Sequence, residues 1–266
     1  MRPIDARRNS LTENLLPTWA ILLSLGLPFG AGVAHAADAS PKPKYGPEAL
    51  LLSSPAGHAY FRAHAAPDFW AMSPFYSAQV DESACSVASV QMLVNAARGD
   101  QTLTADDELA TPQKLVEKVK NQAWHQGIPG VLAGRGVSLD ELGAIAREAL
   151  EAYGLKVAQV EVMHAEDQSP ATLVKLHRAL VENEKSANDF ILINFNQGVF
   201  TGDAEAGHIA PLAAYDQKNH RALVMDPDRK WYEPYWISEK TLLAGMATRD
   251  TQTSKNRGWV YIRLDR

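Results

Sequence analysis

Cysteine is almost missing from this sequence: Cys85 is the one thiol in 266 residues. A chain with a single thiol forms no internal disulfide and no cysteine-rich metal cage, so its core must close by packing alone. Excess positive charge is lacking too. Lys and Arg number 26 against 31 Asp and Glu, a net charge of -5, which leaves no basic field to draw a phosphate backbone and sets nucleic acid aside as a partner. There is no internal repeat and no low-complexity tract within the folded part. The histidines outside the constellation described below (His58, His64, His125, His164, His177 and His220) show no i, i+4 spacing of the metal-ligand kind, so no metal ligand is expected among them. Long apolar runs are confined to one place near the N-terminus.

That place reads as an export signal. Arg2, Arg7 and Arg8 precede an apolar run from Trp19 to Val33 that ends in Ala34-His35-Ala36, with cleavage expected after Ala36. The run holds Gly26, Pro28 and Gly30 and falls short of the ~20 apolar residues of a bilayer span, so no stable membrane insertion is expected after cleavage. The compartment implied is the bacterial periplasm. The Arg7-Arg8 pair leaves general and twin-arginine export both open. Residues 37–49, rich in Ala, Lys, Pro and Asp, read as a mobile leader, and one domain follows over 50–266.

Within that domain the patterning changes along the chain. Residues 56–75 suggest a short helix, and Cys85 to Ala97 is apolar on nearly every side, the mark of a helix buried in a core and stopped by Gly99. Ser138-Leu139-Asp140-Glu141 has capping-box spacing before the apolar set Leu139, Leu142, Ile145, Ala146 and Ala149. After a short strand over 156–162 and a helix over 169–181, compact apolar runs at 190–195, 209–215, 222–225 and 259–264 predict a sheet, with one more helix at 238–246. Helices first and strands second is an α+β order.

Cys85 begins the buried helix, where the helix dipole and its unbonded N–H groups favour a thiolate. A lone cysteine is more often a small packing residue. Its company argues otherwise: Gly207-His208 opens one expected strand, and Asp226 ends the next, with a turn at 216–220 joining the two. Antiparallel pairing then brings His208, a general base, beside Asp226, a carboxylate that fixes the imidazole tautomer. Gln79, six residues before Cys85, can fold back as an oxyanion donor.

Three segments carry a resemblance: Gln79 to Asn95 (QVDESACSVASVQMLVN), Gly207 to Tyr215 (GHIAPLAAY) and Ala222 to Trp236 (ALVMDPDRKWYEPYW), with Arg257-Gly258-Trp259 near the end. They resemble the catalytic domain of the phytochelatin synthases, in a bacterial form without the Cys-rich C-terminal extension. The resemblance implies a papain-like cysteine protease fold, with the nucleophile at the N-terminus of a buried helix and the His and Asp on an antiparallel sheet. It implies Cys85, His208 and Asp226 as catalytic residues and Gln79 as oxyanion donor, with Gly207, Arg229, Tyr232 and Arg257 binding substrate. The substrate implied is glutathione or a related γ-glutamyl thiol, cleaved at its Cys-Gly bond, with transfer of the γ-glutamylcysteinyl group to a second glutathione or to water. No tightly bound cofactor is implied; Cd or Zn enters as a glutathione thiolate, and a homodimer is compatible with the family. Three positions depart from the family pattern: Ala84, Ser86 and Gln197.

Two rival readings use the same residues. A peptidase that trims double-glycine leader peptides also carries Gln, Cys, His and Asp-Pro in this order, but does not call for Arg229, Arg257 or the aromatic-proline stretch. A thiol protein that merely holds metal through Cys85 has only one soft ligand to offer.

Overall fold

The computed structural model describes residues 42–127, 136–202 and 205–266. The expected signal segment, 1–36, lies outside them. In chain order the elements are β1 (Leu50–Leu51), α1 (Pro55–Phe61), α2 (Pro67–Met72), a 3-10 turn (Ser73–Phe75), α3 (Cys85–Ala97), α4 (Pro112–Lys118), α5 (Gln122–Gly127) and α6 (Leu139–Ala152). Then come β2 (Val157–His164), α7 (Pro170–Asn183), β3 (Asp189–Asn196), α8 (Gln197–Phe200), β4 (Gly207–Asp216), β5 (Arg221–Val224), β6 (Tyr235–Ser238), α9 (Glu239–Met246) and β7 (Gly258–Leu264). The order is α+β, as the patterning predicts.

Local chemistry explains most helix starts. Ser54, Thr111 and Ser169 each cap a helix whose next residue is proline, the side-chain oxygen accepting a backbone N–H of the first turn. Ser138 and Glu141 form the capping box read from the sequence, and α6 presents its apolar stripe to the sheet. The expected helix over 56–75 is two helices and a 3-10 turn, divided at Ala66, which holds φ at 48° ahead of Pro67.

All strand pairs of the seven-stranded sheet are antiparallel, in the order β1-β6-β5-β4-β3-β7-β2. Alternation along each strand sorts the side chains into two cores. On β3, Phe190 and Leu192 join the cluster around α3 and α6, while Ile191, Ile193 and Phe195 join a second cluster with α7 and α9. On β7, Val260 and Ile262 go to the first, Trp259 and Tyr261 to the second. A register shift between Leu212 and Ala214 on β4 turns Ala213 and Ala214 toward the same core. The sheet therefore lies between two helical layers.

One expectation needs correction. Part of the supposed mobile leader is bound: the Gly46 N–H donates to the Phe200 carbonyl at 3.0 Å, Tyr45 bridges Thr201, and Glu48 accepts from the Ser238 hydroxyl at 3.0 Å. Tyr45 also packs edge-on to Tyr232 and Tyr235. Residues ahead of the expected Leu50 thus belong to the folded domain, because Tyr45, Gly46 and Glu48 bond and pack onto Thr201, Phe200 and Ser238, a tertiary role that composition does not show.

Candidate active site

Two strand starts and one helix start converge at one end of the sheet. β3 lies between β4 and β7, so Asn194 faces Ile209 on one side and Gly258 on the other. His208 and Arg257, 49 positions apart in the chain, are thereby brought to the two flanks of the same residue. From above, α3 packs on β4, its Ser89 hydroxyl donating to the Ile209 carbonyl at 3.2 Å. This contact sets Cys85, the first residue of α3, over the beginning of β4.

The His208 Nε2 lies 2.8 Å from Asp226 Oδ1, and both residues are buried. The Cys85 thiol lines the same cavity as the imidazole and acts on it as well. Burial pulls the His208 pKa down, but the Asp226 carboxylate and then the Cys85 thiol push it up and leave it well above the usual histidine range. Burial likewise works against the Asp226 carboxylate, yet His208, the Asp228 N–H and Gln197 hold its pKa below the usual value.

Asp226 is held from four directions. Its Oδ1 also accepts from the Asp228 N–H at 2.9 Å; its Oδ2 accepts from Tyr235 at 3.2 Å and from the Gln197 amide at 3.4 Å. Its backbone carbonyl accepts from the Tyr76 hydroxyl at 2.7 Å. Tyr76 in turn lies under the Arg229 guanidinium, 4.1 Å from the ring centroid. Arg229, expected beside substrate, is thus a brace for Tyr76 and lines neither cavity at the site.

The thiol opens into a polar cavity of about 120 Å³ lined by Cys85, Asn194, Gly207, His208, Asp250 and Arg257 among others. Arg257 is 8% exposed; one guanidinium nitrogen donates to the Thr248 hydroxyl at 3.2 Å and to the Arg249 carbonyl at 2.5 Å, while Nε has no partner among the described residues. Burial lowers its pKa, and Asp250 raises it in part. Gly207 leaves room for it: a Cβ there would stand 3.1 Å from the guanidinium. A second cavity, of about 530 Å³, adjoins the first through the shared Gly207 and His208, and is lined by Gln79, Glu82, Gln197, Lys230, Trp231 and Tyr232 among others. Gln79 is fixed by its N–H, which donates to the Pro227 carbonyl at 2.8 Å, and its Oε1 is buried without a partner among the described residues.

Two departures from the family pattern acquire a local reason. Ser86 is buried and accepts the Trp124 indole N–H at 3.1 Å, tying α5 to α3. Ala84, the N-cap of α3, supplies no side-chain acceptor, so the N–H groups of the first turn beside Cys85 keep no side-chain cap. Sequence reasoning missed Asp250 and Tyr235 as members of the site, and singled out Gln197 only as a departure from the family pattern, not as a partner of Asp226. Asp250 had a faint signal, an acid seven residues before Arg257; the other two act through space, from elements far from Asp226 in the chain or on a strand not foreseen.

A thiol, an imidazole and a buried carboxylate in series are the arrangement that nucleophilic thiol chemistry requires. The family comparison agrees with that class of site: the phytochelatin synthase family model matches residues 43–259, and the chain belongs to this family. It is 23% identical over 201 residues to glutathione gamma-glutamylcysteinyltransferase 1 of Arabidopsis thaliana, covering 73% of this chain and 36% of that protein. The protein of the same name from Lotus japonicus is 24% identical over 201 residues, covering 73% and 35%. The chain spans about a third of the length of these curated relatives.

Proposed function

We propose that this chain is a glutathione γ-glutamylcysteinyltransferase with a papain-like fold. The observation that carries the reading is the Asp226-His208-Cys85 series opening into a cavity that holds both a buried guanidinium and a carboxylate. The free end of a γ-glutamyl group carries an α-carboxylate and an α-ammonium, and Arg257 and Asp250 offer one partner to each.

Cys85 Sγ attacks the carbonyl carbon of the Cys-Gly bond, and His208 takes the thiol proton. Gln79 and the uncapped N–H groups of α3 stabilise the oxyanion, an effect on the order of 3 to 4 kcal/mol when one such donor is removed. As the C–N bond breaks, His208 gives the proton to the departing glycine nitrogen. The acyl group then rests on Cys85 as a thioester. An amine of a second glutathione, or water, attacks it from the larger cavity; His208 takes the proton and returns it to the Cys85 sulfur as the C–S bond breaks. In this scheme Gly207 and Tyr232 line the acceptor path, and Cd or Zn arrives as the thiolate of the second glutathione. We also propose export, with cleavage after Ala36; N-terminal sequencing of periplasmic protein checks it.

Mass analysis of mixtures with glutathione, with and without cadmium, tests the activity. Released glycine with γ-glutamylcysteine or phytochelatin is the expected result. Cleavage of a Gly-Gly leader peptide with glutathione left intact would overturn the proposal in favour of a peptidase.

A further inference from the structure

On the far side of the sheet, His177 of α7, His220 of the β4–β5 turn and Glu239 at the start of α9 bring one ligand atom each within 4.8 Å of one another. The Glu239 Oε2 lies 3.2 Å from His177 Nδ1 and 3.1 Å from His220 Nδ1. The Tyr215 hydroxyl adds a fourth atom, 2.6 Å from Glu239 Oε2, 2.8 Å from His177 Nδ1 and 3.4 Å from His220 Nδ1. None of these residues belongs to the site around Cys85.

As hydrogen bonds alone the arrangement is lopsided. Three groups crowd one oxygen of a carboxylate whose residue is 3% exposed, while the other oxygen, Oε1, is buried with no partner among the described residues. The Tyr215 proton serves one acceptor, yet three heteroatoms stand within reach of its oxygen. A cation removes the difficulty, since it accepts lone pairs from all of them at once. Four ligands at 2.0 to 2.1 Å around a tetrahedral ion stand about 3.3 Å apart; the separations of 3.2 and 3.1 Å from Glu239 to the two histidines are close to that, while Tyr215 stands nearer to Glu239, at 2.6 Å.

We propose that His177, His220 and Glu239 form a divalent-cation site of the zinc type, with Tyr215 as a further ligand or as the group that orients Glu239. Two imidazoles and a carboxylate are a borderline donor set that suits Zn²⁺ better than a soft ion held by thiolates or a hard ion such as Mg²⁺. Solvent reaches it: the His220 side chain is 61% exposed and His177 32%, while Glu239 is nearly closed off, so the ion has an access route and an anchored inner ligand. An ion here joins α7 to the β4–β5 turn and the start of α9, the last two already tied by the Glu239 N–H donating to the His220 carbonyl at 2.8 Å. The i, i+4 spacing rule does not register this group because the three residues are spaced by 43 and 19 positions, far outside any helical repeat, and only the fold collects them.

The test uses the full chain with Cys85→Ala, so that the thiol does not compete. Zn²⁺ is titrated by calorimetry, and thermal unfolding is followed with and without Zn²⁺. The expected result is one Zn²⁺ per chain and a raised unfolding temperature, with affinity reduced more than tenfold in His177→Ala and His220→Ala and no stabilisation left in either. X-ray absorption at the zinc edge should show nitrogen and oxygen neighbours. Glu239→Gln is a third variant, and should it fail to fold, the exposed His220 still decides the matter. No stoichiometric binding to the Cys85→Ala chain, or binding unchanged by loss of both histidines, overturns the proposal.

Discussion

His208 and Asp226 are linked by a bond of 2.8 Å in a buried place, and most of what can be tested residue by residue follows from it. Removing one partner of such a pair leaves a buried charge, at a cost of about 3 to 5 kcal/mol. Asp226→Asn keeps the shape but donates where it should accept; we expect glycine release to fall by roughly 10³ to 10⁴-fold, with the thiol still open to alkylation. The pH dependence has two limbs. His208 is raised, so its contribution to stability is complete below the ordinary histidine range and fades as pH climbs through the raised value. Asp226 is lowered, so its contribution is complete above the ordinary carboxylate range, about pH 4, and fades as pH falls through the lowered value. Urea midpoints across pH should therefore show the acid limb reduced in Asp226→Asn; an unchanged acid limb would remove Asp226 from the explanation. Arg257 carries a separate forecast. With its Nε unpaired among the described residues and the role proposed above, holding a part of the substrate remote from the bond that breaks, Arg257→Ala should raise KM for glutathione more than it lowers kcat.

Elements show where the fold tolerates or resists change. Ser138 caps α6 and donates to Glu141 at 2.9 Å, so Ser138→Ala should cost about 1 kcal/mol in a chemical denaturation series. A buried acid points the other way. Asp68 of α2 accepts from the Asn183 amide of α7 at 2.8 Å, and its Oδ1 has no partner among the described residues. Burial lifts its pKa well above the carboxylate range, despite the help of Asn183, and Asp189 and Glu184 add to the rise. For an acid raised on folding, stability is greatest while the group is protonated and declines as pH climbs through the raised value. Asp68→Asn should abolish that decline and stabilise the protein by about 1 to 2 kcal/mol at pH 8, measured by urea unfolding. The capping box and the Ser/Thr-Pro helix starts were legible in the sequence because they are local chemistry. The strand β6 was not, since Tyr235 and Trp236 follow Pro234 and read as an aromatic motif; pairing with β5 makes them a strand.

At the scale of the molecule, one antiparallel sheet serves two cores and carries both sites, one on each side. Leu192 and Ile193 are neighbours on β3 and feed opposite cores, so Leu192→Ala and Ile193→Ala should each cost about 2 to 5 kcal/mol and lower the same unfolding transition, seen by calorimetry. Separate transitions would mean that the two layers unfold independently. The amino-acid order by itself determined the α+β succession, the buried helix headed by Cys85, the strand ahead of Asp226 and the identity of the thiol, imidazole and carboxylate. Periodicity and capping act over a few residues, so a sequence displays them. Tertiary structure decided the rest: that β3 separates His208 from Arg257 by one strand, that Gln197 and Tyr235 steady Asp226, that Arg229 braces Tyr76, and that His177, His220 and Glu239 meet. Cys85, His208 and Asp226 were visible from the start, but the groups gathered around them depend on strand order and register, which are set by packing across the whole sheet and leave no local mark.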